Sequence, residues 1–172
     1  MKGIAKFYKV SFEQYQKDRA AAEPGIKKDD LLKEYENIKL PARATKGSAG
    51  YDFFLPRDIS IEKGQEILIQ TGIRAQIEEG WVLMLYPRSG LGFKYGLRLL
   101  NTTGIIDSDY FLASNEGHIM SKLSISGEKP LKLKARDRFM QGVFVPFGIT
   151  KDDAPIKAER TGGFGSTDEN TE

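Results

Sequence analysis

The sequence contains no cysteine and a single histidine, His118, among its 172 residues. The absence of cysteine excludes a disulfide framework, a thiol nucleophile and a cysteine-based metal site. With one histidine, a metal centre built from several histidines is excluded as well. No apolar run approaches the roughly 18 residues that span a bilayer, and residues 1–4 lack the apolar core of a signal peptide. We therefore expect a cytoplasmic protein with no membrane partner.

Net charge is also low. Although 29% of the residues are charged, the formal net charge is only +2. This net charge is too small to argue for binding to nucleic acid or to a membrane surface. The length suits one domain with an adequate core, so we expect a single domain over residues 1–172. The 18 glycines favour many tight turns, as in a β-rich domain.

The first 37 residues differ in pattern from the rest of the chain. They predict a strand over residues 2–10, a helix over Phe12–Ala22 capped by Ser11, and a second helix to Asn37 capped by Asp29 or Asp30. Pro24-Gly25 separates the two helices. We interpret residues 11–37 as a helical insertion between the first strand and the main β domain.

From Ile38 onwards, short apolar runs alternate with glycine, proline or aspartate. These runs predict strands at residues 50–55, 59–61, 66–70, 73–77, 81–86, 97–101, 119–125, 131–133 and 140–146. Many short strands at this spacing indicate an all-β sandwich or jelly-roll-like barrel. Residues 159–172 end in a polar, acidic stretch and are predicted to form a mobile C-terminal arm.

Two candidate sites lie at the ends of predicted strands in the first half of the β domain. In Ala49-Gly50-Tyr51-Asp52, small residues come before an aromatic residue and an acid, and a plain turn into a strand is the simpler interpretation. In Pro87-Arg88-Ser89-Gly90-Leu91, a guanidinium, a hydroxyl and an exposed backbone N–H are types of donor that bind phosphate oxygens. A loop with a surface arginine explains the second segment equally well.

The stretch from Asn101 to Tyr110 has the strongest chemical character. Ile105 and Ile106 favour a strand, and Asp107-Ser108-Asp109 has the composition of a turn. A carboxylate placed here can orient a water molecule near a phosphate and accept its proton, while the amide of Asn101 offers both a donor and an acceptor. An acidic hairpin turn is the alternative.

Two further segments carry polar groups near predicted strand ends or the C-terminus. Gln141 follows Arg136-Asp137-Arg138 at a strand entry, where its amide would position a water or a phosphate, or would simply be exposed. The segment 160–167 contains an arginine, two hydroxyls and three glycines, which suit a phosphate cradle. It is not a Walker A loop, because no Lys-Ser/Thr pair follows the final glycine. A glycine-rich disordered tail is the alternative.

Taken in order, these five segments resemble the five motifs of the trimeric deoxyuridine triphosphate nucleotidohydrolases, the dUTPases. The resemblance covers residues 38–167 and implies a distorted jelly roll of the β-clip type. It also implies a homotrimer whose three active sites are shared between subunits. The implied reaction is hydrolysis of dUTP to dUMP and pyrophosphate, with Mg²⁺ on the triphosphate.

The resemblance also implies roles for single residues. Asp107 would orient and deprotonate the attacking water, with Gln141 holding that water or the α-phosphate. Ser89 and the N–H of Gly90 would bind oxygens near the breaking bond, and Arg88 would support phosphate charge. Asp52 would hold a water bound to Mg²⁺. The implied substrate-binding residues are Asn101, Gly104 and Ile106 at uracil, Tyr110 under the deoxyribose, Phe164 over the base, and Arg160, Gly165, Ser166 and Thr167 at the phosphates.

Three departures from the family pattern stand out. The segment after Arg160 is one residue shorter than usual, so its phosphate contact is in question. Residues 111–115 follow Tyr110 as a small insertion, and His118 just beyond is given no catalytic role. Residues 11–37 are either a packing element or a surface for a regulatory protein partner. Two alternatives therefore remain: a dCTP deaminase of the same fold, and a dUTPase with an added protein-binding role.

Overall fold

The computed structural model describes residues 2–154, which form a mainly antiparallel β structure of the jelly-roll type. The strands are β1 Ala5–Lys9, β2 Ala42–Arg43, β3 Tyr51–Phe54, β4 Ile59–Ile61, β5 Glu66–Ile77, β6 Trp81–Pro87, β7 Leu97–Leu99, β8 Gly104–Ile106, β9 Ile119–Ile125, β10 Leu131–Leu133 and β11 Arg138–Pro146. The helices are α1 Phe12–Ala22, α2 Lys28–Asn37 and α3 Ser89–Tyr95, with a 3-10 helix at Ser108–Leu112. No helix within residues 2–154 has the length and apolar character needed to cross a membrane.

The strands form two main sheets and one small one. The four-stranded sheet has the order β1-β5-β9-β7, and the five-stranded sheet has the order β2-β3-β11-β6-β8. A two-stranded ribbon pairs β10 with β4. In the five-stranded sheet β11 lies between β3 and β6, so the chain brings together strands that are far apart in sequence.

An aromatic cluster joins the two main sheets. Phe7 on β1 contacts Tyr51, Phe53 and Phe144 of the five-stranded sheet, with ring centroids 5.5, 5.7 and 5.7 Å away. Edge-on and tilted rings at this spacing add favourable energy to the burial of their apolar area. Residues near the cluster, such as Phe53, Leu83 and Phe139, are fully buried. Alternation along each strand directs these side chains inward.

The predicted N-terminal elements are confirmed, with one error in detail. Ser11 caps α1, and its hydroxyl accepts a hydrogen bond from the backbone N–H of Gln14 at 3.1 Å. Helix α2, however, begins after Lys27, so the prediction that Asp29 or Asp30 caps it is wrong. Both aspartates lie in the first turn instead, where a carboxylate interacts favourably with the helix dipole. That the two helices form an insertion stays an interpretation.

Two other segments differ from the sequence-based prediction. The runs 66–70 and 73–77 are one strand, β5, because a bulge at Thr71 and Gly72 absorbs the interruption and shifts the register against β9. The segment after Arg88, interpreted as a loop, is helix α3, in which the N–H of Gly92 bonds the carbonyl of Arg88 at 2.9 Å. Likewise, the predicted turn after Asp107 is the 3-10 helix.

Candidate active site

A cavity of about 260 Å³ opens where β3, β6 and β11 meet. It is lined by polar and small residues from three separate parts of the chain: Ala44, Ser48, Ala49, Gly50, Asp52, Arg88, Ser89 and Gln141. The structure therefore brings together three of the five predicted segments, those that contain Asp52, Arg88 and Gln141.

Strand register explains this meeting. Gln141 on β11 pairs with Asp52 on β3 at one side and with Tyr86 on β6 at the other. Arg88 and Ser89 follow directly after β6 ends at Pro87, so they project at the same edge of the sheet. The order of the strands, with β11 in the centre, thus brings an amide, a carboxylate and a guanidinium to the same cavity.

The charges at the cavity do not balance. The carboxylate of Asp52 pairs with two arginines: Oδ1 lies 3.0 Å from Nε of Arg88, and Oδ2 lies 3.2 Å from Nη1 of Arg138. Asp52 is nearly buried, whereas the side chains of Arg88 and Arg138 are 32% and 44% exposed. One carboxylate between two cations leaves an excess positive charge beside the cavity, which favours an anionic ligand.

The side chain of Gln141 packs closely against the backbone of Gly50. A Cβ atom added at Gly50 would lie 2.9 Å from Oε1 of Gln141, closer than ordinary van der Waals contact. Glycine at this position therefore leaves room for the amide to occupy the cavity.

Ser89 is the first residue of α3 and lines the cavity. The first N–H groups of a helix have no acceptor within the helix, so the amides near Ser89 and Gly90 are available to a ligand. The donors that the sequence suggested for this segment are thus at the cavity edge, presented by a short helix instead of a loop.

The segment from Gly104 to Tyr110 lies elsewhere. Strand β8 forms the edge of the five-stranded sheet and pairs only with β6 in the described part of the chain, with Gly104 opposite Leu85 and Ile106 opposite Leu83. Gly104 and Ile106 are buried, so they can meet a ligand only through their backbone groups. Asp107 continues the strand in extended conformation before the 3-10 helix begins.

The register separates Asp107 from the cavity. Asp107 lies one residue beyond Ile106, which places it level with Val82, while Gln141 is level with Tyr86 and two strands away. With about 3.3 Å per residue along a strand and about 4.8 Å between strands, this register places the two Cα atoms about 16 Å apart. The side chains of Asp107 and Gln141 therefore do not lie in one cavity within a single chain.

Tyr110 is held at its hydroxyl. The side chain is buried, its hydroxyl donates to the carbonyl of His118 at 2.8 Å, and it accepts from Nδ2 of Asn115 at 2.8 Å. His118 is fully buried between α1 and the β5 bulge, outside the cavity. Asn115 had no role in the sequence analysis, and its place in the small 111–115 segment was the only available signal.

Asn101 lines a second, mostly apolar cavity of about 350 Å³ together with Leu68, Leu100, Met120, Ser121 and Lys122. This second cavity lies beside strands β5 and β9 of the four-stranded sheet. The first cavity, called the charged cavity below, lies on the five-stranded sheet. Arg160, Phe164, Gly165, Ser166 and Thr167 lie outside the described residues, as does the arm at 159–172. Arg138 pairs with Asp52 beside the cavity, a contact that the sequence analysis missed because it depends on strand register.

The side chains near the cavity limit how a metal ion could be held there. Within residues 2–154 no three His, Cys, Asp or Glu side chains cluster in a way that could hold an ion. Asp52 contributes a carboxylate whose oxygens each retain a lone pair beyond the arginine contacts. The donors therefore fit a hard cation held mainly by phosphate and water, with Asp52 contacting one of its waters.

Comparisons with known proteins point to one family. The dUTPase family model matches residues 36–168. A deoxyuridine 5'-triphosphate nucleotidohydrolase of Lactococcus lactis is 39% identical over 142 residues, covering 80% of this chain and 95% of that protein. The crystal structure of dUTPase from Streptococcus mutans is 39% identical, with a TM-score of 0.60, over 67% of this chain and 91% of that one.

A more distant structure shares the fold over a longer part of the chain. A dUTPase from phage phi11 of S. aureus, described as coordinating a structural Mg(II) ion, has a TM-score of 0.62 at 19% identity. The match covers 91% of this chain and 98% of the phage protein. The family match begins at residue 36, so α1 and most of α2 lie before it.

Proposed function

The chain belongs to the dUTPase family, and from this premise we propose how it converts dUTP to dUMP and pyrophosphate. The oxygen of a water molecule attacks the α-phosphorus, and the bond from that phosphorus to the bridging oxygen of the β-phosphate breaks. Asp107 accepts the proton of the water, which raises its nucleophilicity at neutral pH. The electron pair of the broken bond leaves with pyrophosphate.

The charged cavity would hold the phosphates during this step. Arg88, the hydroxyl of Ser89 and the N–H of Gly90 donate to oxygens on which negative charge develops as pyrophosphate leaves. Gln141, seated against Gly50, positions the α-phosphate or the water. The two arginines around Asp52 support this role, because they give the cavity a positive excess before the ligand arrives.

The single observation that carries the proposal is the strand register, which separates the Cα atoms of Asp107 and Gln141 by about 16 Å within one chain. A site that needs both residues must take them from different copies. This supports a homotrimer in which β8 of one subunit faces the charged cavity of another. The 160–167 segment, with Arg160, Phe164, Gly165, Ser166 and Thr167, would complete the site from a further copy.

Base and sugar would be selected beside β8. Backbone groups around Asn101, Gly104 and Ile106 hydrogen-bond the edge of uracil, where cytosine carries a donor in place of an acceptor. A site built for one pattern leaves polar groups unpaired with the other, which discriminates strongly. The ring of Tyr110 lies under the deoxyribose and leaves no room for a 2′-hydroxyl, while Phe164 covers the base.

Mg²⁺ fits the proposal as a cofactor of the substrate phosphates. When bound there, the ion neutralises phosphate charge and orients the triphosphate. The chain would contribute through Asp52, which binds a water of the ion while staying paired to Arg88 and Arg138. A cytoplasmic location stays a prediction.

The first experiment measures pyrophosphate release from dUTP, dCTP, dTTP and UTP with Mg²⁺, for the wild type and Asp107→Asn. We expect release from dUTP alone, and a loss of at least about 10²-fold in kcat for the variant, because a general base contributes on this scale. Release from several nucleotides would overturn the selection proposed for Asn101 and Tyr110. Ammonia release from dCTP would instead indicate the deaminase, which the comparisons do not favour.

The second experiment tests the shared site by complementation. Asp107→Asn and Gln141→Ala are each expected to be inactive alone. The two variants are then co-expressed in equal amounts. If a site combines Asp107 of one copy with Gln141 of another, random mixing restores about a quarter of the sites. If both residues act within one chain, no mixed site is intact and activity stays at the level of the single variants.

A further inference from the structure

The structure assigns a positioning role to the turn 115–118, which helix α1 holds in place. We propose that this turn fixes Tyr110 and thereby sets the discrimination between deoxyribose and ribose. The proposal rests on the role given above to Tyr110 as the surface beneath the sugar. It goes beyond that role by naming the residues that hold the ring in register.

The turn grips Tyr110 directly. The phenol hydroxyl donates to the carbonyl of His118 at 2.8 Å and accepts from Nδ2 of Asn115 at 2.8 Å. The amide of Asn115 is oriented, because its Oδ1 accepts from the N–H of Gly117 at 3.1 Å. The phenol therefore has one donor and one acceptor at fixed positions, which fixes the ring as well as the hydroxyl.

The backbone of the turn is tightly constrained. Glu116 and Gly117 both have left-handed φ angles, +58° and +67°, and the first is unusual for a residue with a side chain. A Cβ atom at Gly117 would lie 2.5 Å from the carbonyl oxygen of Tyr110. The turn thus wraps directly onto the backbone of the residue that it holds, and a shift of the turn would move Tyr110.

Helix α1 holds the turn at two points. At Glu116, Oε2 accepts from the N–H of Ser11 at 2.8 Å, and Oε1 accepts from its hydroxyl at 2.6 Å. At His118, Nδ1 lies 2.5 Å from Oδ2 of Asp18, about two helical turns beyond Ser11. Two residues of the turn are therefore attached to the same helix.

The tautomer of His118 follows from its contacts. Nε2 accepts a hydrogen bond from the N–H of Gly72 at 2.8 Å, so this nitrogen carries no proton. Nδ1 then carries the proton and donates it to Asp18. The imidazole is a fixed connection between α1, the β5 bulge and the carbonyl that receives the hydroxyl of Tyr110.

Arg74 on β5 restrains the residue that follows Tyr110. Nη2 of Arg74 donates to the carbonyl of Phe111 at 2.6 Å, and its guanidinium carbon lies 3.7 Å from the centre of the Phe111 ring. The same guanidinium lies 3.8 Å from Oε2 of Glu116, so Arg74 connects the 3-10 helix to the turn. Residues 111–115, predicted as a small insertion, supply Asn115 to this arrangement.

The test compares kcat/KM for dUTP with kcat/KM for UTP, expressed as a selectivity ratio. Asn115→Asp is nearly isosteric and keeps the acceptor for Gly117 but replaces the donor to Tyr110 by an oxygen. We expect its ratio to fall about tenfold, with most of the change in KM for UTP, since one hydrogen bond of about 1.4 kcal/mol corresponds to tenfold. Asn115→Ala, which removes both bonds, is expected to lower the ratio at least as far.

Asp18 tests the connection through α1. Asp18→Ala is expected to lower the ratio by about threefold, because it acts only through His118. Asp18→Asn still offers an oxygen to Nδ1–H and is expected to restore the wild-type ratio. Tyr15→Phe is the matched control on the same helix, since its hydroxyl contacts Glu34 at 2.9 Å and not the turn. It should lower the melting temperature and leave the ratio unchanged.

A purely structural turn predicts a different result. Asn115→Asp, Asn115→Ala and Asp18→Ala would then lower kcat/KM for dUTP and UTP in proportion, and the unchanged ratio would overturn the inference. Tyr110→Ala separates this failure from a failure of the proposed function. If Tyr110→Ala lowers the ratio while the variants of Asn115 and Asp18 do not, only the inference is wrong. If Tyr110→Ala leaves the ratio unchanged, the sugar role of Tyr110 is wrong as well.

Discussion

Two clusters of arginine and carboxylate in this molecule have opposite arrangements: one buried arginine between two carboxylates, and one buried carboxylate between two partly exposed arginines. In the helix cluster, Arg19 on α1 binds Glu34 on α2 through two hydrogen bonds of 2.7 and 3.0 Å, with side chains 2% and 13% exposed. In the cavity cluster, Asp52 binds Arg88 and Arg138, whose side chains are 32% and 44% exposed. The same pair of chemical groups is closed to solvent in one region and open in the other.

The helix cluster is saturated. Arg19 also donates to Glu23 at 3.0 Å, and the hydroxyl of Tyr15 donates to Glu34 at 2.9 Å. Burial lowers the pKa of Arg19, but the hydrogen bonds to Glu34 and Glu23 outweigh it, so this pKa lies above its ordinary value. Burial and the nearby Glu34 both raise the pKa of Tyr15. Arg19 therefore keeps its positive charge and Tyr15 stays neutral.

The cavity cluster has two cations on one anion and faces open space. Its positive excess is not needed to hold β3 and β11 together, because the strands are already paired by backbone hydrogen bonds. This difference distinguishes ion pairs that connect structural elements from ion pairs that are available to a ligand. A buried, fully hydrogen-bonded cluster connects elements and is costly to break, whereas a cluster with exposed arginines in excess is available to a ligand.

The largest expected effect comes from removing a cavity arginine. Arg88→Ala should lower kcat/KM for dUTP by about 10²–10³-fold, because it removes a charged donor aimed at the developing phosphate charge. The free energy of unfolding should change by at most about 1 kcal/mol, since the pair is partly exposed. Steady-state kinetics and thermal unfolding of the same preparation measure both. A large loss of stability with little loss of activity would remove the distinction between the clusters.

The opposite pattern is expected for the helix cluster. Arg19→Met leaves Glu34 buried without its cation and should lower the free energy of unfolding by about 3 kcal/mol, or the melting temperature by about 10 °C. At a temperature where the variant is folded, kcat/KM for dUTP should stay near the wild-type value. Thermal unfolding followed by circular dichroism makes this measurement.

A triple variant serves as the control for Arg19→Met. Tyr15→Phe, Arg19→Met and Glu34→Leu together replace the whole cluster by apolar side chains of similar size. This variant should regain most of the lost stability, because no unpaired charge stays buried. If the triple variant is less stable than Arg19→Met, the hydrogen bonds of the cluster themselves stabilise the fold. The stability lost in Arg19→Met would then not come from the unpaired charge of Glu34.

The sequence predicted those parts of both regions that depend on local signals. Ser11 is recognisable as a cap because its hydroxyl reaches a backbone N–H only three residues away. Alternating apolar residues likewise predicted most strands, since inward and outward positions repeat every second residue. The gathering of Asp52, Arg88 and Gln141 was expected only through the family resemblance, because it requires the strand order β3-β11-β6.

What the sequence did not reveal depends on distant partners. The burial of Arg19 requires Glu34 on another helix, and a charged residue in isolation is expected to face water. Arg138 reaches Asp52 beside the cavity only because β11 lies beside β3 in this register. The continuous β5 depends on His118, 46 residues away, which accepts the N–H of the bulged Gly72. No window of neighbouring residues contains this information.

A smaller effect should follow from crowding the cavity without changing its charge. Gly50→Ala places a Cβ atom 2.9 Å from Oε1 of Gln141 and should displace that amide, lowering kcat/KM for dUTP by about tenfold. Gly47→Ala is the matched control, because an added Cβ there meets no atom within 4 Å. Kinetics of the two variants measured side by side give the comparison. Equal activity of both would show that the cavity tolerates a shifted Gln141.

The smallest effect concerns acid and the contacts that join α1 to the turn. Burial raises the pKa of Asp18, but the hydrogen bonds from His118 and Gln14 outweigh it and the pKa lies below its ordinary value. Burial also raises the pKa of Glu116, and here the hydroxyl and the N–H of Ser11 outweigh it. Both carboxylates therefore bind a proton more readily in the unfolded chain.

This sign sets the direction of the pH dependence. The stability that Asp18 and Glu116 contribute is fully present above the pKa values of the unfolded chain, near pH 4, and is lost as the pH falls through their lower folded values. Glu116→Gln should lower stability at neutral pH and flatten its decline in acid, as measured by urea unfolding between about pH 3 and pH 7. Glu36→Gln, at an exposed position on α2, should keep the wild-type slope. An unchanged slope in Glu116→Gln would mean that the contacts of the turn contribute no proton-linked stability.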